Sequence, residues 1–147
     1  MYKHILLAVD FDKEEGIVEQ KAAQVQQMTG AKLSLIHIIE PIPAIYMGDG
    51  LMVPADYMVT EVDLEKRAKG MLDPISLRLG LPKSQVASPV YNDVSDGIVQ
   101  YAIQNDVDLI VIGSHARHGF RRLLLGSTAN SVLHHAECDV MTVRINE

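Results

Sequence analysis

The sequence predicts a doubly wound α/β domain, a five-stranded parallel sheet with helices on both faces. Three observations carry this. Short apolar runs rich in β-branched residues recur along the chain and read as buried strands. Stretches with apolar residues at helical spacing separate them, and that alternation implies parallel strands joined by right-handed crossovers. The length, 147 residues, suits one domain over 1–147, large enough to fold without disulfides or a structural metal.

Residues 4–9 form the first strand, which delivers Asp10. Val18, Ala22, Val25 and Met28 share one helical face, and Gly30 follows as a stop. Residues 32–39 are the second strand. The stretch 40–56, with Pro41, Pro43, Pro54, Gly48 and Gly50, is unusually long for a connection. It reads as a flap that either covers a ligand or is a surface insertion. Leu64, Ala68, Met71, Ile75 and Leu79 make a second helical stripe, and Thr60 with Asp63 reads as its capping box. Pro74 predicts a kink or break near Asp73. Residues 85–91 are the third strand. Ile98, Val99, Ala102 and Ile103 mark a third helix, capped by Asp93 or Ser95. Residues 108–112 are the fourth strand, a fourth helix runs from Ser127 to about His135, and residues 138–143 are the fifth strand.

Composition removes whole classes of function. The net charge of −6 argues against a general nucleic-acid binder. No apolar run approaches the ~20 residues that span a bilayer, and the N-terminal apolar run is too short for a signal peptide. A cytoplasmic protein is the expectation, and the lone Cys138 agrees with a reducing compartment. Cys138, at the start of a strand, reads as a small buried hydrophobe. The six histidines do not form a ligand constellation. His37 reads as a core or supporting residue, and His134 and His135 as helix-end residues. Neither a G-x-G-x-x-G after the first strand, nor a P-loop, nor a G-x-S-x-G elbow is present.

In an open parallel sheet, ligands bind beyond the carboxyl ends of the strands, where the strand order reverses. Asp10 arrives there, as does Gly113-Ser114-His115-Ala116 after the fourth strand. Gly113 reads as a turn that lets backbone N–H groups approach an anion. Gly126-Ser127-Thr128 opens a helix whose free N–H groups favour phosphate, and Arg117, Arg121 and Arg122 add charge. The competing reading makes Gly113 a chain turn, Ser127 a cap and the arginines solvated. Likewise Asp10 either accepts from ribose hydroxyls or is a turn residue, as Asp12 can be.

Taken together, Lys3 to Asp10, Leu35 to Ile39, Asp106 to His115 and Leu123 to Ser127 resemble the universal stress protein (UspA) family over nearly the whole chain. The resemblance implies strand order 3-2-1-4-5 and a homodimer, here through the fifth, edge strand. It also implies ATP as ligand, with Mg2+ as its companion ion. The ATP-binding branch carries Gly, two residues, Gly, nine residues, then Gly with Ser or Thr. Gly113, Gly126 and Ser127 fit that spacing, and Ala116 stands at the middle glycine. By the same resemblance Asp10 meets ribose, Ile38 meets adenine, and Gly113, Ala116, Gly126, Ser127 and Thr128 surround the phosphates. The implied role is sensing or regulation in stress response, with at most slow hydrolysis. The alternatives are a nucleotide-free dimeric interaction protein of the same fold, for which Ala116 speaks, and an adenine-nucleotide hydrolase or transferase.

Overall fold

A computed structural model describes residues 1–11, 16–41, 60–115 and 126–145. Strands β1 (His4–Ala8), β2 (Lys32–Ile36), β3 (Val86–Ala87), β4 (Leu109–His115) and β5 (Asp139–Ile145) alternate with helices α1 (Gly16–Thr29), α2 (Glu61–Leu79), α3 (Val94–Gln104) and α4 (Ser127–His135). The sheet is parallel, in the order β3-β2-β1-β4-β5.

Side chains alternate between the two faces of a strand, and here the alternation sorts the core by parity. Ile5, Leu7, Val9, Leu33, Leu35, Leu109 and Val111 pack with Val18 and Ala22 of α1 and Leu72 and Ile75 of α2. Leu6, Ala8, Ile36, Ile38, Ile110 and Ile112 pack on the opposite face with Ile98 and Ala102 of α3 and Ala129 and Val132 of α4. β1 is completely buried, as a central strand covered on both faces must be.

The caps match the sequence. Thr60 and Asp63 form the capping box of α2, and its backbone and side-chain bonds to Thr60 hold the Asp63 carboxyl below its ordinary range. Asp93, not Ser95, caps α3 by accepting from the Asp96 N–H. Gly30 closes α1 with φ +70°, which costs glycine little.

Three expectations need correction. Of the kink or break expected near Asp73, the break does not occur: helix α2 runs through Pro74 to Leu79. Leu72 and Ile75, on either side of the proline, are buried against the core, and their packing outweighs one lost backbone bond. The third strand is only Val86–Ala87, followed by an isolated bridge between Ile39 and Val90. Pro89, which lacks an N–H, interrupts this edge of the sheet. β4 does not stop at Ile112 but continues to His115, so Gly113 lies inside a strand and not in a turn.

Candidate functional site

The strands end where the sequence places the ligand. Ala8 pairs with Ile36 on one side and with Ile112 on the other. Carried on by two residues, this register sets Ile38, Asp10 and Ser114 side by side across β2, β1 and β4. The pairing does continue past β1, since the Val9 N–H donates to Ile36 O at 3.0 Å. All three positions have the parity of the α3/α4 face. Asp10 is exposed. Ile38 is 4% exposed, and a Cβ on Gly97 of α3 would lie 2.9 Å from its Cγ2. The Ile38 side chain is therefore packed under α3. Its backbone is oriented by its neighbours: the N–H groups of His37 and Ile39 donate toward the β3 side, to Ala87 O and Pro89 O. Alternation turns the Ile38 N–H and C=O the other way, toward β1.

Helix α4 begins over this same face, with Ala129 of its first turn in the α3/α4 cluster. Its cap is Gly126, with no side-chain cap bond. The first intrahelical bond runs from Asn130 N to Gly126 O, so the N–H groups of Ser127, Thr128 and Ala129 point out of the helix end. The helix dipole and those N–H groups make an anion-favouring terminus.

Gly113 belongs to the other face. A Cβ there would stand 2.7 Å from Ile145 Cδ1 and 3.2 Å from Val18 Cγ2. The residue is glycine because β5 and α1 close over it, a packing reason that holds with or without a ligand. Ala116, Arg117, Arg121, Arg122 and Asp12 lie outside the described residues, as does most of the 40–56 flap.

Behind Asp10, the chain is braced on the α1/α2 face. His37 Nδ1 lies 2.8 Å from Val9 O, and since a carbonyl only accepts, Nδ1 carries the proton. Its ring stacks on Phe11, centroids 4.1 Å apart. Phe11 has φ +67°, an uncommon conformation for a bulky residue. His37 is thus a supporting residue, as the sequence suggests. His135 also behaves as a helix-end residue, its Nδ1–H donating to Ser131 O at 2.8 Å. Cys138 is half-buried just before β5, and burial pushes its thiol up.

One residue that sequence reasoning passed over stands out. Five described polar or charged residues are buried: His4, Glu19, Ser34, Ser95 and Ser114. Glu19 receives two bonds from Arg78, at 2.9 and 3.2 Å. His4 and Ser34 bond each other at 2.8 Å, and Ser95 is held by Asp93 and by Ser131 at 2.9 Å. Ser114, 6% exposed, has no side-chain partner among the described residues. Leaving a buried hydroxyl unpaired costs about 1–3 kcal/mol. The signal for it was the strand parity beyond Ile112.

A concavity of about 560 Å3 lies between α1 and α2 and is lined by Phe11, Glu19, Pro74 and Arg78 among others. Its charged pair is closed on itself, so it offers a ligand few convergent polar groups.

The Universal stress protein family profile matches residues 1–144. The chain belongs to the universal stress protein family. It is 34% identical over 146 residues to Universal stress protein A homolog 1 of Coxiella burnetii, covering 99% of both chains. Among solved structures, the universal stress protein UspA of Lactobacillus plantarum is 25% identical with a TM-score of 0.70, and the match covers 97% of this chain and 98% of that one. Another universal stress protein, solved in complex with cAMP, is 18% identical with a TM-score of 0.64 over 97% of each chain. That likeness is one of fold alone. The five-stranded 3-2-1-4-5 sheet expected from the family resemblance is the sheet observed. No helix among the described residues is long and apolar enough to cross a membrane.

Proposed function

We propose that this universal stress protein binds an adenine nucleotide, ATP with its Mg2+, across the carboxyl ends of β2, β1 and β4 in a cytoplasmic sensing or regulatory role. The observation that carries the reading is one of placement. Ile38, Asp10 and the open N-terminus of α4 share one face at the point where the strand order reverses, the usual ligand crevice of such sheets. In this reading the backbone of Ile38 reads the adenine edge and Asp10 accepts from the ribose hydroxyls. Gly126, Ser127, Thr128 and, from its place in the motif, Ala116 surround the phosphates, with Gly113 shaping the strand beneath. The cAMP complex of a neighbour with the same fold agrees with the ligand class.

Titration calorimetry of ATP on the wild type and on Gly126→Asp is the test. The variant sets a carboxylate at the phosphate position and loses affinity; equal affinity in the two proteins contradicts the assignment. Ala116→Gly restores the family's loop glycine and raises ATP affinity by up to tenfold, about 1.4 kcal/mol.

The homodimer belongs to the same proposal. β5 is an edge of the sheet, and Val140 and Met141 on it are only partly buried. An apolar edge of this length offers unpaired backbone groups to a second copy, and antiparallel pairing about a two-fold axis closes the assembly. Sedimentation equilibrium of the wild type shows a dimer at tens of micromolar, about the range of a weak association, and Met141→Pro shifts it to monomer. A wild type that remains monomeric there defeats this part.

A further inference from the structure

We infer that His37 is a positioning residue for the nucleotide. Its ring takes the place of the next bond in the β1/β2 ladder, which keeps the Ile38 N–H available to the base and fixes the chain that carries Asp10. The inference rests on the nucleotide reading above and adds to it a residue that acts through its neighbours.

The ladder is the first observation. Ala8 pairs with Ile36, and the Val9 N–H donates to Ile36 O at 3.0 Å. In a parallel pair, a residue that donates to the residue before its partner accepts from the residue after it. Continued in this way, Val9 O would accept from the Ile38 N–H. That backbone bond is not made. His37 Nδ1 stands 2.8 Å from Val9 O instead, and Nδ1 is the donor because a carbonyl only accepts. The side chain thus ends the pairing of β1 with β2 one bond early. The Ile38 N–H is left pointing toward β1, with its ladder acceptor taken by the ring.

The second observation is that the same ring reaches past Asp10. Val9 precedes Asp10 and Phe11 follows it. Phe11 lies against His37, ring centroids 4.1 Å apart. Its φ of +67° is one that a bulky residue keeps only where its surroundings impose it. One imidazole therefore touches both neighbours of the residue that the nucleotide reading gives to the ribose. The imidazole is itself anchored, since the His37 N–H donates to Ala87 O of β3 at 3.2 Å.

The test compares wild type with His37→Phe, which keeps an aromatic ring and loses the donor, and with His37→Asn, whose amide N–H replaces the donor. ATP and adenosine are titrated in calorimetry, and amide exchange is read in the ligand-free proteins. His37→Phe loses about tenfold in affinity for both ligands alike, because base and sugar are common to them, and His37→Asn recovers most of it. Without ligand, the Ile38 amide exchanges more slowly in His37→Phe than in wild type, because Val9 O is then free to accept it. If His37→Phe melts too low to titrate, His37→Ala carries the same comparison.

Unchanged ATP and adenosine affinity in the variant overturns the role of His37 and leaves the nucleotide reading standing. A loss for ATP without one for adenosine also overturns it, since the effect then lies at the phosphates. A His37→Asn that binds no better than His37→Phe overturns it too, since the donated bond is then not what positions the chain. Unchanged exchange at Ile38 overturns it as well, since the ring is then not competing for Val9 O. A wild type that binds neither ATP nor adenosine overturns the nucleotide reading itself, and this assignment with it.

Discussion

At the amino-terminal edge of the sheet the polar groups close on one another, whereas at the carboxyl-terminal edge the Ser114 hydroxyl has no partner among the described residues and the first N–H groups of α4 point out of the helix. On the first edge, the Asp108 carboxylate accepts from the N–H groups of Lys3 at 2.8 Å and His4 at 3.0 Å. The His4 ring bridges Asn105 O and Ser34 Oγ, each at 2.8 Å. A carbonyl only accepts, so His4 Nδ1 carries a proton directed at Asn105 O, while Nε2 and the Ser34 hydroxyl bond each other. On the other edge, Ser114 is buried without a partner among the described residues, and α4 starts on a glycine that makes no side-chain cap bond. Both edges belong to the same strands and face the same helices. The difference is that one set of polar groups is satisfied within the fold, while Ser114 and the first N–H groups of α4 are not satisfied among the described residues.

Breaking the closed edge has the largest effect on stability. His4→Ala leaves Ser34 Oγ and Asn105 O unpaired and opens a gap between β1 and β2. We expect a loss of about 2–4 kcal/mol, read as a melting temperature lower by about 5–12 °C. ATP affinity at the far edge stays as in the wild type. A variant with unchanged stability breaks the comparison.

Asp108→Ala is smaller because the carboxylate is partly exposed. About 1–2 kcal/mol is expected near neutral pH. Its sign with pH is fixed by the structure. Burial raises the Asp108 carboxyl, but the N–H groups of Lys3 and His4 more than offset this and hold it below its ordinary value. A depressed carboxylate contributes stability above its unfolded pKa of about 3.9 and loses it as pH falls through the folded value. Urea midpoints of wild type and Asp108→Ala therefore differ at neutral pH and converge in acid. A gap that widens in acid has the wrong sign.

Gly113→Ala sharpens the contrast within the carboxyl edge. The added methyl meets the flexible end of Ile145, and a loss of about 1 kcal/mol is expected. A packing glycine costs stability when replaced and leaves the ATP contact largely intact. A glycine needed by the phosphates loses affinity and keeps stability, and that outcome would restore the sequence-based reading of Gly113.

The sequence made most of the scaffold legible because its signals are local. Alternation of apolar runs and helical stripes, the Thr60/Asp63 box and Gly30 each depend on a few neighbouring residues, and each appears in the fold. What it hid depends on tertiary pairing. Gly113 looked like a turn because glycine usually ends a strand, yet it continues β4 under Ile145 and Val18. Pro74 looked like a break because the burial of Leu72 and Ile75 is invisible in a helical count. Val86–Ala87 looks longer in the sequence because Pro89 lies inside an apolar run. In the site, Asp10 and the α4 terminus were readable from strand and helix ends. Ser114 was not, because its face and its missing partner exist only once β4 is seen to reach His115.

The most direct measurement is an ATP titration followed by backbone amide NMR, since it reads both edges at once. The account predicts shifts at Asp10, Ile38, Ser114, Ser127 and Thr128, with His4, Ser34 and Asp108 silent. Shifts at the amino-terminal edge or in the α1/α2 cleft, or none at saturating ATP, would contradict it.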